Sequence, residues 1–381
     1  MKKLTALLLA FVMVVGLVGC AGSPAPSGSA AASPSASTPA SPSADMPAAA
    51  GLKVAVFYYQ FADVYISSVR ASMDKQLDTL GVEYQNFDGG NNQATQTDQI
   101  NTAITDGYNF LIINIVDTNA ADAAQNAVDA AKAKDIPVIF FNREVSDDVV
   151  KSYDKCAFVG TNAPEAGHLQ GKMVGEYVLA NFDALDLNKD GKISYVMFKG
   201  QEGNAEAEAR TQFGVEDANK VLTDGGKPAL EYYAADAKDK YLVDQTGSWS
   251  AQAALDYMNT ILAEYSEANK NMIELVIANN DGMAEGAVSG LQTAGYNTGS
   301  GKTIPVFGVD ATDSAKLLID EGKMTGTIKQ DAVGMASTIC TLVESVKTGA
   351  GLMDNVEGFN VDAGVAKIRV PYGVYDANNK G

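Results

Sequence analysis

The chain has 381 residues, 46% hydrophobic and 20% charged, a length and balance that suit a soluble globular protein of two domains. It carries 47 acidic against 28 basic residues, and its net charge of -19 repels nucleic acid and anionic membrane surfaces. One histidine, His168, and three cysteines without metal-type spacing exclude a Cys/His metal centre and leave little room for His-dependent catalysis.

Residues 1–20 predict a secretory leader. Lys2 and Lys3 supply its positive start and Leu4 to Val18 its apolar stretch, too short for a membrane span. It ends Leu17-Val18-Gly19-Cys20, which resembles a lipobox, so Cys20 is expected to carry lipid and hold the protein on the outer face of a membrane. Residues 21–50 are almost all Ala, Ser, Pro and Gly and hold six of the eleven prolines; no core can form there, which predicts a tether.

From Leu52 strand patterns alternate with amphipathic helical ones. The first round predicts strands over residues 53–58, 82–87, 110–116 and 137–142, with helices over 65–80, 92–106 and 120–134. The second predicts strands over 194–200, 230–235, 275–278 and 305–309, with helices over 205–222, 250–264 and 283–294. Cys156 and Cys340, in a further strand and helix, read as buried free thiols. Continuous apolar strands between helices argue for α/β architecture: two Rossmann-like lobes with parallel sheets. Ligands in such folds bind beyond the carboxyl ends of strands, between domains. The strand exits carry Gln60 to Tyr65, Asn114 to Asp117, Asn142 to Glu144, Gly200 to Arg210, Asn279 to Asp281, and Asp310. Each Asn or Asp there is also a good helix cap or turn residue. Gly299 to Thr303 looks like the end of a phosphate loop, but it lies between a helix and a strand in the wrong order and reads as a turn.

Asp186 to Ser194 has oxygen-bearing residues at loop positions 1, 3, 5 and 9 and glycine at 6, the spacing of a calcium loop. Asp186, Asn188, Asp190, the Lys192 carbonyl and Ser194 are the candidate ligands. Position 12 is Met197 in an apolar run, so either the loop binds nothing or its last carboxylate comes from elsewhere.

These pieces together resemble the glucose/galactose-binding proteins of bacterial ABC sugar importers, over nearly all of the chain after the tether. The most specific part is Asp186 to Arg210. Ile112 to Asp117, Phe140 to Asn142, Ile273 to Asp281, Ile304 to Asp310 and Arg369 to Tyr372 also match. The resemblance implies a type I periplasmic binding protein fold with a multi-crossing hinge. One lobe would hold residues 51–159 plus 331–368, the other 160–330 plus 369–381. It implies a structural Ca2+ completed by Glu274.

It also implies that Asp63, Tyr65, Asn114, Asn204, Glu206, Arg210, Trp249, Asn280, Asp310 and Gln330 bind an aldohexose. At these positions the family has Phe for Tyr65, His for Asn204, Asp for Glu206 and Asn for Gln330. Carboxylates and amides suit sugar hydroxyls, which donate and accept, and Tyr65 and Trp249 would cover the apolar sugar faces. Glu206 and Arg210, four apart on a helix, equally suit a solvated surface pair. The implied partners are an ABC permease and, for a sensor, a chemoreceptor or sensor kinase, with the binding protein itself a monomer. An enzyme drawing a carboxylate pair from among Asp63, Glu206 and Asp310, or a DNA-binding repressor of this fold, is the less favoured reading.

Overall fold

The computed structural model describes residues 51–380; the expected leader, lipidated Cys20 and tether lie outside them. The first lobe opens with β1 (Lys53–Tyr58), α1 (Val64–Leu80), β2 (Glu83–Asp88), α2 (Gln93–Thr105), β3 (Phe110–Ile113), α3 (Ala121–Lys132), β4 (Val138–Phe141), α4 (Asp147–Lys151) and β5 (Cys156–Gly160). The second follows with α5 (Ala163–Leu185), β6 (Ser194–Lys199), α6 (Ala205–Asp224), β7 (Glu231–Tyr232), β8 (Leu242–Val243), α7 (Ala251–Leu262), β9 (Leu275–Ala278), α8 (Asp281–Thr293), β10 (Val306–Asp310), α9 (Asp313–Asp320) and β11 (Gly326–Gln330). The chain then returns to the first lobe. There α10 (Ala332–Lys347) packs on α1, and β12 (Asn360–Val361) and β13 (Lys367–Arg369) join the sheet. Finally β14 (Tyr372–Asp376) pairs with β11 in the second lobe.

The strand order is β12-β13-β5-β4-β3-β1-β2 in one sheet and β14-β11-β10-β9-β6-β7 in the other, with β8 also beside β6. Pairing is parallel, as expected of two Rossmann-like lobes, with an antiparallel pair at one edge of each sheet: β12 with β13 and β11 with β14. Three crossings join the lobes, after β5, β11 and β13. Central strands such as Phe110–Ile113, Val138–Phe141 and Leu275–Ala278 are buried along their whole length, because helices cover both faces of each sheet. Apolar runs therefore replace the alternation of a half-exposed sheet.

The 23-residue helix α5 was not legible in the sequence. Gly167, Gly171 and Gly175 recur every four residues along it, and glycine lowers helix propensity. Packing explains them. A Cβ at Gly167 would lie 2.5 Å from the Ala209 carbonyl oxygen, and one at Gly171 2.4 Å from that of Phe213. The glycine stripe lets α6 sit directly on α5, and α6 carries two of the candidate binding residues.

Candidate functional site

At the carboxyl ends of both sheets, between the lobes, lies a cavity. Nine of the ten sequence-predicted binding residues line it: Asp63, Tyr65, Asn204, Glu206, Arg210, Trp249, Asn280, Asp310 and Gln330. Asn114 does not. It is fully buried behind the wall, where its Oδ1 accepts from the Tyr59 amide (3.2 Å) and its Nδ2 donates to the Phe141 carbonyl and Asn142 Oδ1 (both 3.1 Å). Its place is behind Tyr59 and Asn142, which it holds. The wall also includes Tyr59, Ile66, Asn142 and Arg143, which sequence reasoning left out of the site. The signal was present: Tyr59 directly follows β1, and Asn142 and Arg143 directly follow β4.

The cap reading and the site reading of the strand exits hold together. Asp63, Asn204 and Asn280 are N-caps whose side chains accept from Ile66, Ala207 and Met283 amides, opening α1, α6 and α8. Each cap thereby stands on the cavity wall with a helix N-terminus behind it, a setting that favours electron-rich groups. Three other wall residues hold left-handed backbone that side-chain-bearing residues rarely adopt: Asn142 (φ 60°), Trp249 (φ 57°) and Asp310 (φ 126°). Such strain persists where the surrounding fold over-determines the residue, commonly at functional sites. The Trp249 ring lies on Gly200, where an added Cβ would come within 2.1 Å of it.

Glu206 and Arg210 are 4% and 3% exposed, which rules out the solvated surface pair. Burial pushes the Glu206 carboxyl above its ordinary range, and Arg210 only partly offsets this. Asp310 is raised further, by burial and by Asp281 behind it, again against Arg210. Glu206 Oε1, Arg210 Nε, Trp249 Nε1 and Gln330 Nε2 are buried and find no hydrogen-bond partner among the described residues. An unsatisfied buried polar atom costs about 1–3 kcal/mol. One acceptor and three donors left open on one cavity wall are matched by a ligand rich in hydroxyl groups.

The lobes touch across the cavity mouth. Gln60 Nε2 donates to the Ser248 carbonyl (3.1 Å), Asn91 Nδ2 to that of Thr246 (2.8 Å) and Asn119 Nδ2 to that of Glu202 (3.1 Å). This is a closed arrangement.

The loop after α5 curls through left-handed Lys189 and Gly191. Asp186 accepts from the amides of Asp190 (3.2 Å) and Gly191 (3.1 Å). Glu274 reaches in from just before β9, its two oxygens accepting from the Asn188 and Ser194 amides, each at 2.9 Å. Asn188 and Ser194 turn their side chains to the Met272 backbone instead: Asn188 accepts from its amide (2.7 Å) and donates to its carbonyl (2.9 Å), and Ser194 Oγ donates to that carbonyl (2.7 Å). Among the described residues no group of three His, Cys, Asp or Glu side chains is gathered closely enough to hold a metal. The donor chemistry still suits a hard cation, with Asp186, Asp190 and Glu274 supplying oxygen. Burial, and to a lesser extent the charge of Asp186, raises the Glu274 pKa, a repulsion that a divalent cation relieves.

A family model described as the periplasmic binding protein domain matches residues 54–350. The D-galactose/methyl-galactoside binding periplasmic protein MglB of Haemophilus influenzae is 33% identical over 334 residues, 87% of this chain and 92% of that protein. A putative rhizopine-binding protein of Rhizobium meliloti is 31% identical over 287 residues, 74% of this chain and 79% of that one. Among solved structures, an ABC transporter solute binding protein from Bacillus halodurans with bound myo-inositol superposes with a TM-score of 0.65 at 22% identity, covering 86% of this chain and 96% of that one. At that identity the likeness speaks for the fold.

Proposed function

The chain belongs to the periplasmic binding protein domain family, and from that membership we propose that it is an extracytoplasmic monosaccharide-binding protein of an ABC importer. Its ligand is an aldohexose of the glucose or galactose type, held between the lobes and bound without turnover. The observation that carries this reading is the set of four unpaired buried atoms on Glu206, Arg210, Trp249 and Gln330, residues that line one cavity together with Tyr65. Sugar hydroxyls satisfy both the acceptor and the donors, and the Tyr65 and Trp249 rings cover C–H faces. The likeness to a galactose-binding relative supports the hexose class. Sugar that touches both walls favours the closed over the open form, by as much as its affinities for the two differ.

Calorimetric titration with aldohexoses, pentoses and inositols tests the reading. Heat and a change in Trp249 fluorescence with glucose or galactose are expected, and silence with every aldohexose refutes it. The loop at Asp186 to Ser194 is proposed to hold a structural Ca2+ with Asp186, Asp190 and Glu274. When bound, the ion cross-links the α5–β6 connection to the start of β9; Glu274 already holds the loop through the two amides. Glu274→Ala is expected to lower the melting temperature in both conditions, because both amide bonds are lost, and to lower it further in calcium than in chelator; equal separation in both conditions removes Glu274 as a ligand. Cys20 is proposed as the lipidated residue, tested by loss of labelled fatty acid in Cys20→Ser.

A further inference from the structure

Arg210 lines the cavity with its Nε unpaired, but the far end of its guanidinium is tied into the hinge. Its Nη1 donates to the Asn279 carbonyl (2.9 Å), and its Nη2 donates to Gln330 Oε1 and Tyr372 Oη (both 3.0 Å). Tyr372 Oη in turn donates to Thr161 Oγ1 at 2.8 Å. Gln330, Tyr372 and Thr161 stand on the chain crossings. Thr161 directly follows β5, Gln330 ends β11, and Tyr372 opens β14 opposite Gln330 in register. The backbone around Thr161 is held from the third crossing too: its carbonyl accepts from Arg369 Nη1, and that of Gly160 from the Val370 amide, each at 2.7 Å. Arg210, Gln330, Thr161 and Tyr372 are all buried.

We propose that Tyr372 is a positioning residue that ties ligand capture at Arg210 to the hinge, through the relay Arg210 to Tyr372 to Thr161. This rests on reading the cavity as a monosaccharide site. The physical basis is the rigid plane of the guanidinium. A ligand oxygen on Nε fixes that plane, which fixes where Nη2 meets Tyr372 Oη. The phenol accepts from Arg210 and donates to Thr161, so its geometry is set at both ends. Tyr372 does not line the cavity, and neither does Thr161. Their influence on binding therefore acts through Arg210 and the crossings, not through contact with the ligand.

The test uses the full chain and D-galactose as probe, with spin labels at exposed Asp129 on α3 and Glu216 on α6 to follow the distance between lobes. Tyr372→Phe keeps the ring and removes both hydrogen bonds. Its galactose dissociation constant is expected to rise about tenfold, the loss of one hydrogen bond to a charged group. At saturating galactose its distance distribution is expected to spread toward that of the ligand-free protein. Thr161→Val, remote from Arg210, should produce the same spread, and the double variant should be no worse than Tyr372→Phe alone. Unchanged affinity overturns the relay. So does weaker affinity with a wild-type distribution at saturation, which leaves Tyr372 a mere support for the Arg210 pose. A wild type that does not bind galactose overturns the relay through its premise, and is told apart because the unmutated chain is the one that fails.

Discussion

The two walls of the cavity are built differently. On the first-lobe wall the polar atoms are already engaged. Asp63 accepts from the Ile66 amide (2.8 Å) and from Tyr59 Oη (2.6 Å); Arg143 donates to the Val116 carbonyl (2.6 Å) and lies 3.5 Å over the Tyr59 ring. On the second-lobe wall Glu206, Arg210, Trp249 and Gln330 each keep an atom unpaired. The contrast teaches that the second lobe holds the unsatisfied potential that a ligand relieves, while the first lobe supplies a finished surface that closes over it. Binding energy should therefore fall more steeply when the second wall is damaged.

The largest effect is expected from Arg210→Met. It leaves Glu206 and Asp310 buried without the cation that most offsets their burial, a defect of about 3–5 kcal/mol. Hexose binding should become undetectable by calorimetry, and the melting temperature should drop. Next, Glu206→Gln exchanges an unpaired acceptor oxygen for a donor group and should weaken binding about tenfold to a hundredfold, read in the same titration, with the fold intact. Asp63→Asn should weaken it less than Glu206→Gln, because Asn caps a helix as well as Asp and the position is already engaged. If Asp63→Asn proves the more damaging of the two, the contrast between the walls is broken.

The smallest effect is a divergence with pH. Burial, against bonds from Thr327 and Thr312, pushes Asp281 up to about 7, and Asp310 is raised well above its usual range. Their folded-state pKa values lie above the unfolded ones, so protonation favours the fold, and acidification from about pH 8 to about pH 6 should raise the melting temperature of the ligand-free protein. Protonation of Asp310, which lines the cavity, also takes an acceptor from the ligand, so hexose affinity should fall as the pH is lowered. Melting curves and titrations at both pH values check the two directions; parallel movement would show that this carboxylate does not face the ligand.

Much of the site was legible because strand exits are local features. A short polar run after an apolar strand marks the rim of an α/β sheet; the runs that hold Asp63, Asn204, Asn280 and Asp310 were marked that way, and the family resemblance assigned these residues to the ligand. The Glu206 and Arg210 spacing was legible too, but not its meaning. A pair four apart on a helix looks the same whether solvent or a second lobe covers it, and burial at 4% and 3% decided the matter. Asn114 shows the opposite limit: its type and place at a strand exit were right for a binding residue, yet its three hydrogen bonds turn it inward. The α5 helix was hidden because the glycines that recur every four residues along it lower helix propensity, and only the contact with α6 shows what they serve.

The sequence by itself determined the alternation of strands and helices, the residue types at the rim and the curl of the Asp186 to Ser194 loop, because each depends on neighbours a few residues apart. Only the tertiary structure decided which atoms on the walls remain unpaired. It also showed that Glu274 grips a loop some eighty residues upstream in the chain, and that Arg210 is joined to the hinge through Tyr372 and Thr161. Those relations bring together atoms far apart in sequence, and only packing sets their distances.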